Sequence, residues 1–365
     1  MHEIIWLLLL CPFTLLHAQE KATSKPPYAA IVDAQHKGQD GKVVNGTSTY
    51  RTIGAALNAA PENNASPHAI FIRTGRYYEK LSVDKPNIHL IGENRETTFI
   101  TYDAAAGTKD PQGKSYGTRG SFTLRISAPD FRAENLTIEN SFDYHANRAK
   151  ADDDPTKLRD TQAVALLTDQ NSDRATFINC TLSSHQDTLF SNTGRHYFYK
   201  SIIAGSVDFI FGAGQVVFDD CDIISRDRYA SNNGYIVAPS TLLAQPFGFL
   251  FTHCRLKKET PNMQANSVSL GRPWHPSGNP QAVGSAIFMH CEIDDHISEQ
   301  GWVAMGGGRD ENGNRIMFQP EDARFFEYNN TGPGAITSPS RRILTDTQAQ
   351  AYTIHSVLNG WQPHK

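Results

Sequence analysis

Two aspartates, Asp187 and Asp208, have the side chains, spacing and surroundings that could support catalysis. They lie 21 residues apart, in the stretches Gln186-Asp187-Thr188-Leu189 and Val207-Asp208-Phe209-Ile210-Phe211-Gly212. Apolar neighbours exclude water, and two carboxylates held close together cannot both ionise at low cost, so the pKa of one should rise. Such a pair divides into a general acid and a nucleophile or base. The alternative is that both are ordinary turn aspartates whose spacing is accidental.

A repeated unit, Phe-x-x-Cys-x-Ile/Leu, indicates the elements that would position this pair. It begins at five phenylalanines, Phe177, Phe198, Phe218, Phe251 and Phe288, and a weaker copy begins at Ala133. Its cysteine position falls at residues 136, 180, 201, 221, 254 and 291, which are 44, 21, 20, 33 and 37 residues apart. Each unit has the pattern of a short strand, and a period of about 20 residues with longer insertions is typical of a solenoid. The sequence therefore predicts an all-β fold, a right-handed parallel β-helix.

Both aspartates occupy the same place in this repeat. Asp187 follows Cys180 by seven residues, and Asp208 follows Ser201 by seven residues. If adjacent coils are in register, the two backbones are separated by about one inter-strand spacing, ~4.8 Å. The repeat thus predicts that the two carboxylates lie side by side in neighbouring coils.

Four of the five cysteines fall within the same repeat, and the fifth, Cys11, lies in the N-terminal segment that is expected to be removed. Stacked coils place equivalent residues in ladders, so the five phenylalanines should form one internal stack and the cysteines another. Four cysteines in a secreted chain usually indicate two disulfides, but the ladder favours packed, unbridged side chains here. Cys254 and Cys291 would lie close enough to oxidise, and the sequence leaves that pairing open.

Short helices are expected to cap both ends of the coil, because a solenoid needs its open ends covered. Residues 52–60 form the N-terminal candidate. Near the C-terminus, Thr345–Gln348 has capping-box spacing and opens an apolar pattern that runs through Val357. Two long insertions, Tyr144–Arg159 and Arg226–Gln245, are expected to form loops beside one face.

The first residues differ in kind from the rest. The apolar run Ile4–Leu16 is too short to span a bilayer comfortably and has the length of a signal-peptide core. Cleavage is expected near Ala18 or Gln19, although no Lys or Arg precedes the run. We expect residues 1–19 to be a signal peptide that directs secretion, and residues 20–365 to form a single β-helix catalytic domain. The alternative is a buried or anchoring helix.

Composition and charge exclude several classes of partner. With 39% hydrophobic and 20% charged residues, the chain has the composition of a globular protein. A net charge of −4 argues against nucleic acid, whose phosphates require a basic surface. The histidines show no metal-ligand spacing, and Gly306-Gly307-Gly308 lacks the Lys-Ser/Thr that follows in a phosphate loop. We therefore expect a monomer with no cofactor, metal, nucleic-acid partner or membrane partner.

Five stretches carry a family resemblance. They are Gly75-Arg76-Tyr77-Tyr78-Glu79, Gln162-Ala163-Val164-Ala165-Leu166, the two aspartate stretches and Leu270-Gly271-Arg272-Pro273-Trp274. With these motifs in this order, the chain resembles the pectin methylesterases (pectinesterases) from about Tyr28 to Trp361, and secreted bacterial members more than plant ones. The resemblance implies a parallel β-helix that removes methyl groups from pectin, releases methanol and leaves free galacturonate carboxylates.

The resemblance also implies a catalytic role for five residues. Asp208 matches the nucleophile and Asp187 the general acid, which later acts as a base toward water. Gln162 and Gln186 match the side chains that stabilise the oxyanion. Arg272 matches the residue that holds the nucleophile, and it should lower the pKa of Asp208 while that of Asp187 rises.

The sugar cleft can be assigned in the same way. The resemblance implies that Trp274 forms an aromatic wall of the cleft, although a packing role for this residue is the simpler alternative. Three apolar residues flank the catalytic positions and are expected to help line the cleft: Val207, Phe190 and Phe211.

Other activities remain compatible with these residues. Two carboxylates at about 5 Å would also suit a retaining glycosidase. A lyase would require a carboxylate cage for calcium, which this motif set lacks. A non-catalytic carbohydrate-binding β-helix would keep the aromatic cleft but would not need Asp187, Asp208 and Arg272 together. Action on a different ester, such as a thioester, is a further alternative.

Overall fold

The computed structural model describes residues 27–363, so the expected signal peptide lies outside the described residues. In residues 27–363 the chain coils through three stacked sheets of almost entirely parallel strands, and a separate two-stranded hairpin projects from the coils. The first sheet has twelve strands: Ala30–Val32, Lys42–Val44, Thr47–Tyr50, His68–Ile72, Ile88–Gly92, Arg132–Glu134, Ala175–Ile178, Arg195–Tyr199, Gln215–Asp219, Phe249–Thr252, Ser285–Met289 and Arg324–Tyr328.

The other two sheets run alongside it. Within the described range, the eight-stranded sheet comprises Gly75–Tyr78, Thr98–Tyr102, Thr137–Asn140, Thr181–Ser183, Ile202–Gly205, Asp222–Ser225, Arg255–Lys258 and Glu292–Ile293. The seven-stranded sheet in this part of the chain comprises Leu81–Val83, Leu124–Ile126, Leu166–Thr168, Leu189–Ser191, Val207–Gly212, Gly234–Pro239 and Val268–Gly271. The hairpin pairs Met305–Arg309 with Arg315–Phe318. The parallel β-helix predicted from the repeat is confirmed.

The interior is built from the predicted ladders. The five repeat phenylalanines stack in sequence, with ring centroids 4.5, 5.1, 4.5 and 4.3 Å apart from Phe177 to Phe288. Ala133 occupies the same register beside Phe177, as the weaker copy predicts. Offset stacks of this kind add to the energy of burying each ring. The repeat is therefore a ladder of core side chains.

The cysteines form the second ladder and are not bridged. Cys180, Cys221, Cys254 and Cys291 are buried and free, which answers the question that the sequence left open for Cys254 and Cys291. Burial raises the pKa of the Cys180 thiol to about 12, as expected for an inert thiol. Ser201 takes the cysteine position in one coil, where its hydroxyl accepts a hydrogen bond from the Cys180 amide at 3.1 Å.

A helix lies at the N-terminal end of the coil, as predicted. Helix Ile53–Ala59 begins after Thr52, whose hydroxyl accepts a hydrogen bond from the Ala55 amide. Its buried residues Ile53, Ala56 and Leu57 join the main core. The amides of Ile53 and Gly54 also donate to the Glu79 carboxylate, which satisfies the first free N–H groups of the helix.

The C-terminal pattern forms two short helices instead of the single helix predicted through Val357. Helix Asp346–Ala349 carries the predicted capping box, and helix Ile354–Val357 begins after Thr353, whose hydroxyl caps it anew. Both helices lie against the outer face of the twelve-stranded sheet, where Val357 packs in a cluster with Tyr197 and Val217. That face is apolar along this stretch, so it must be covered.

The two long insertions differ from expectation in part. Insertion Tyr144–Arg159 begins with the short helix Tyr144–Ala149 and then runs as a loop. Insertion Arg226–Gln245 contains the strand Gly234–Pro239 of the seven-stranded sheet, so the prediction of a continuous loop was wrong there. This strand is buried on both faces, and its sequence therefore lacks the alternation that marks a half-exposed strand.

The remaining helices are short. They are Gly117–Gly120 and the 3₁₀ turns Pro276–Gly278 and Pro320–Asp322. None of the helices between residues 27 and 363 has the length and apolar character needed to cross a membrane.

Candidate active site

A cleft of about 480 Å³ lies on the outer face of the seven-stranded sheet. An apolar cluster supports it, in which Val164, Leu167 and Ala238 pack with the aromatic residues of the cleft. Eight of the nine sequence-predicted site residues line it: Gln162, Gln186, Asp187, Phe190, Asp208, Phe211, Arg272 and Trp274. The structure therefore gathers residues from four separate stretches of the sequence into one cavity.

The two aspartates lie in neighbouring coils, as the spacing predicts. Leu189 pairs with Ile210 and Phe190 with Phe211, so the register between these coils is 21 residues. The Asp187 amide donates a hydrogen bond to the Val207 carbonyl at 3.0 Å, which joins the coils beside the two carboxyl groups. The predicted register is confirmed, and both carboxyl groups face the same cleft.

A β-bulge brings Asp208 to the outer face. Ile210 and Phe209 both point into the main core, although strand residues normally alternate between faces. The register shifts between Val207 and Ile210, and Asp208 has a φ of 49°, in the left-handed region. Without this irregularity Asp208 would share the inward face of Ile210, so the bulge is what exposes its carboxylate to the cleft.

Asp187 reaches the cleft by a similar local conformation. Its φ is 65°, and it lies two residues before the inward-facing Leu189, which begins the strand Leu189–Ser191. A left-handed conformation at a non-glycine residue costs free energy that the surrounding structure must offset, and such residues cluster at functional sites. Aspartate is among the residues that tolerate this conformation best.

Arg272 holds one aspartate and not the other. Its Nε and Nη2 atoms donate to the two carboxylate oxygens of Asp208, at 2.8 and 2.5 Å. The guanidinium also lies over the Tyr235 ring, 3.9 Å from the centroid. The backbone amide of Arg272 donates a hydrogen bond to the Val237 carbonyl. The planar fork is therefore fixed on both sides, and Asp208 is oriented by it.

The electrostatics of the two carboxyl groups differ. Burial raises the pKa of Asp187 well above its ordinary value, and the nearby Asp208 raises it further, while Arg272 opposes the shift. Burial also raises the pKa of Asp208, and the hydrogen bonds from Arg272 oppose this directly. The expectation that Asp208 would have a lowered pKa is wrong in direction, because burial outweighs the arginine. Asp187 nevertheless has the stronger tendency to remain protonated.

The two glutamines lie on consecutive coils beside the aspartates. Gln162 pairs with Gln186, and Gln186 pairs with Val207, as single parallel bridges. The Thr161 hydroxyl donates to the Gln186 side-chain oxygen at 3.0 Å, which fixes the amide and leaves its NH₂ group as the free donor. The Gln162 side-chain oxygen is buried without a hydrogen-bond partner among the described residues. Buried polar atoms normally have partners, and because Gln162 lines the cleft, a water molecule or a ligand there can supply one.

Aromatic rings form one wall of the cleft. The rings of Phe190 and Phe211 stack with centroids 4.2 Å apart, and Trp274 meets both edge-on, at 6.2 and 5.5 Å. Val207, which was expected to line the cleft, is not among the residues that line it. Val207 pairs with Gln186 of the preceding coil and with Tyr235 of the following coil, and it lies just before the bulge.

Four further lining residues were not found from the sequence: Thr118, Arg119, Ala238 and Met305. Arg119 forms an ion pair with Asp169 at 2.5 Å, and its guanidinium lies 5.2 Å from the Phe190 ring centroid. Thr118 and Arg119 belong to the short helix Gly117–Gly120, within a connection between coils that carries no repeat signal. Only the three-dimensional fold brings them to the cleft.

Known proteins share both the sequence and the fold. A family model described as Pectinesterase matches residues 42–361. Pectinesterase A from Dickeya dadantii (strain 3937) is 43% identical over 360 residues, which cover 95% of this chain and 94% of that protein. The solved structure of a pectin methylesterase from Yersinia enterocolitica is 46% identical, has a TM-score of 0.81 and is matched over 86% of this chain and 99% of its own.

Two further solved structures add to this comparison. A pectin methylesterase in complex with a hexasaccharide is 43% identical, with a TM-score of 0.86 over 92% of this chain and 98% of its own. The pectin methylesterase from carrot is 28% identical, with a TM-score of 0.69 over 93% and 95% of the two chains. The likeness is thus stronger to these bacterial relatives than to the plant one, as the motifs predict.

Proposed function

This chain belongs to the pectinesterase family and removes methyl esters from pectin, and we propose that Asp208 and Asp187 carry out that hydrolysis. One observation carries the proposal. Two buried aspartates from adjacent coils face one cleft, and an arginine binds only one of them. Each aspartate therefore has an environment suited to a different step.

The first step is nucleophilic attack. Arg272 stabilises the ionised form of Asp208 and orients one of its oxygens, so the carboxylate attacks the carbonyl carbon of the methyl ester. Asp187 keeps its proton and donates it to the departing methanol. The products of this step are an acyl-enzyme on Asp208 and free methanol.

The second step returns the enzyme to its starting state. Asp187, now ionised, accepts a proton from water, and the resulting hydroxide attacks the acyl group. The galacturonic acid group leaves Asp208, which is again ionised, and Asp187 is protonated again. The released acid then loses its proton to the solvent and becomes the galacturonate carboxylate. The proton that Asp187 gives to methanol in the first step is regained from water in the second, and the one net proton of the reaction goes to the solvent.

Gln162 and Gln186 stabilise the oxyanion that forms in both steps. Neutral amides donate hydrogen bonds without adding charge beside Asp208, and preorganised donors are worth more in a buried site than in water. The Thr161 hydroxyl donates to the side-chain oxygen of Gln186, so the NH₂ group of that amide points away from Thr161 and can donate to the oxyanion. Gln162 lines the same cleft, so its NH₂ group can reach an oxyanion formed there.

The polymer binds along the aromatic wall. Trp274, Phe211 and Phe190 offer apolar ring surface to a sugar. Val207 does not line the cleft, and its contribution is to pair with the strand position of Gln186. The relative solved with a hexasaccharide supports an extended binding site for several sugars. We expect the enzyme to act as a monomer, because all five residues assigned to the chemistry lie together in one cleft: Gln162, Gln186, Asp187, Asp208 and Arg272.

The place of action is outside the cell. Pectin is an extracellular polymer, and residues 1–19 have the pattern of a signal peptide. Residues 20–365 would then be the mature catalytic domain. Amino-terminal sequencing of protein secreted by the native host checks both points, because an intact Met1 would contradict them.

The activity is tested by following two products in one sample. Purified protein is incubated with highly methylated pectin, and methanol release and polymer chain length are measured together. We expect methanol to accumulate while chain length stays constant. A falling chain length would indicate a glycosidase or lyase instead, and the absence of both changes would favour a binding module or a different ester.

A further inference from the structure

The sequence Gly306-Gly307-Gly308 has no role in the chemistry proposed for the cleft. It lies in the hairpin Met305–Arg309/Arg315–Phe318, which stands apart from the three sheets. Met305, the first residue of the hairpin, lines the cleft. The glycine run therefore begins at the edge of the cleft and leads away from it.

The hairpin is internally braced. The Asp310 carboxylate accepts hydrogen bonds from the amides of Asn312 and Asn314, at 2.9 and 2.8 Å, and these bonds close its tip. The Arg309 guanidinium donates to the Gly313 carbonyl at 2.6 Å. An isolated two-stranded hairpin is marginally stable in water. This one is closed at its tip and supported at its base.

The base of the hairpin rests on the loop that follows Trp274. The Phe318 ring stacks on the His275 ring, with centroids 3.5 Å apart and an interplanar angle of 5°. The His275 Nδ1 atom in turn bonds to the Asn279 carbonyl at 2.8 Å, which closes the loop around the turn Pro276–Gly278. The neighbour of Trp274 is thus held from the side by a hairpin residue.

The glycines allow this close approach. A Cβ atom at Gly307 would lie 3.3 Å from both the His275 carbonyl oxygen and the Phe318 ring. At Gly308 the φ is 74°, and a Cβ atom there would lie 3.3 Å from the Gly278 Cα atom. Such contacts are tighter than side chains normally make, so a larger residue would push the loop away. The glycine run is the surface against which the loop packs.

Trp274 has support on its other side as well. Its ring meets the stacked pair Phe190 and Phe211 edge-on, and its amide bonds to the Pro239 carbonyl at 3.3 Å. The Phe pair fixes how deeply the ring sits in the cleft. The loop behind it, pinned between Phe318 and the glycine run, fixes where the backbone of Trp274 lies.

We propose that the hairpin is a positioning element for Trp274, acting through Phe318 and Gly307. This inference rests on the proposed role of Trp274 as a wall of the sugar cleft. Phe318 touches no substrate, and it acts by holding His275 and hence its neighbour. Loss of Phe318 should weaken polymer binding and leave the chemical step at Asp208 unchanged.

A double-mutant cycle tests this proposal. Phe318→Ala, Trp274→Ala and the double variant are compared for methanol release from methylated pectin. Phe318→Ala should raise KM about fivefold to tenfold, the range of one misplaced aromatic contact, with kcat little changed. In the Trp274→Ala background the same change should have almost no further effect, because the residue it positions is gone.

Matched variants separate positioning from general damage. Met317 precedes Phe318 in the same strand, but its side chain is 49% exposed, so Met317→Ala should leave KM unchanged. Phe318→Tyr keeps the ring and should restore the native KM. Gly307→Val should reproduce the rise by displacing the loop, and it serves if Phe318→Ala does not fold.

The outcomes are distinguishable. If Trp274→Ala raises KM but Phe318→Ala does not, or if the two effects add fully, the hairpin does not position Trp274 and the inference is overturned. If Trp274→Ala leaves KM unchanged, the proposed role of Trp274 in the cleft fails first, and the inference fails with it. A fall in kcat at constant KM for Phe318→Ala would also overturn it.

Discussion

Arg272 donates two hydrogen bonds to Asp208, at 2.8 and 2.5 Å, so both carboxylate oxygens of that residue are held by one guanidinium. No side chain between residues 27 and 363 makes a comparable contact with Asp187, whose pKa burial raises well above its ordinary value. As whole residues, Asp208 and Asp187 are 7% and 8% exposed, so burial alone does not distinguish them. The single arginine creates the difference between them, and the predicted division of roles depends on it.

Replacing either aspartate with asparagine should abolish turnover while the protein stays folded. Asp208→Asn removes the nucleophile, and Asp187→Asn removes the proton donor, a function that typically contributes about 10²- to 10⁴-fold. Both changes preserve side-chain volume, so the core should be intact. Initial rates of methanol release measure the effect.

Asp84→Asn provides the control for this pair. Its side chain is 58% exposed, pairs with Arg125 at 3.4 Å and is not among the residues that line the cleft. Its rate should match that of the native enzyme. Near-native activity in Asp208→Asn or Asp187→Asn would refute the catalytic assignment.

Replacing Arg272 with alanine should shift the acidic limb of the pH–rate profile upward. Arg272 opposes the effect of burial on Asp208, so its loss lets the pKa of Asp208 rise further. A higher pH is then needed to ionise the nucleophile, and the limb of kcat/KM reports that ionisation in the free enzyme. Arg272→Lys keeps the positive charge but loses the planar guanidinium that binds both oxygens, so its acidic limb should lie between those of the native enzyme and Arg272→Ala. A limb that does not move in Arg272→Ala would refute this role.

The repeat predicted the relation of Asp187 to Asp208 because the ladder from Phe177 onward sets the coil period. It could not predict the bulge at Asp208, since one residue in the left-handed region leaves the apolar pattern of Val207–Gly212 unchanged. It also could not predict Arg119, which reaches the cleft from a connection between coils. The spacing of the repeat predicts where residues of the strands lie, but it does not predict where residues of the connections between strands lie.

The pKa of Asp208 and the C-terminal helices both differ from the sequence-based expectation because each depends on tertiary packing. The pKa of Asp208 is raised because burial outweighs Arg272, and the degree of burial is a property of the packed fold. The C-terminal apolar pattern forms two helices because Thr353 caps a new one, and because they cover an outer sheet face that includes Val217. The local sequence contains the capping residue Thr353, but it does not show the sheet surface against which the two helices pack.

Removing either glutamine amide should lower kcat more than it changes KM. Gln162→Ala and Gln186→Ala each remove a donor that acts on the oxyanion, and loss of one such donor costs about 10²- to 10³-fold in kcat. Thr161→Val should cause a smaller loss, since it frees the Gln186 amide without removing it. Steady-state kinetics on methylated pectin measure all three. A rise in KM at constant kcat would show that these residues bind the ground state instead.

Asp187→Asn should stabilise the protein at neutral pH while it abolishes activity. The folded pKa of Asp187 lies well above the ordinary value of 3.8, so the folded state holds this proton more tightly than the unfolded chain. The stability that this provides is complete below pH 3.8 and is lost as the pH rises through the folded pKa. Above pH 3.8 the native carboxyl must either hold a proton that the unfolded chain releases or bury a charge, and asparagine requires neither. The melting temperature of Asp187→Asn at pH 7 to 8 should therefore exceed the native one by about 2 °C or more.

The pH dependence and a second variant make that prediction specific. At pH 4 native Asp187 is protonated, so the difference in melting temperature at a fixed scan rate should shrink. Asp208→Asn should gain less than Asp187→Asn, or lose stability, because it leaves the Arg272 charge without its partner. A gain for Asp187→Asn that is equal at both pH values would mean that the pKa of Asp187 is not raised on folding, and would contradict its assignment as the proton donor.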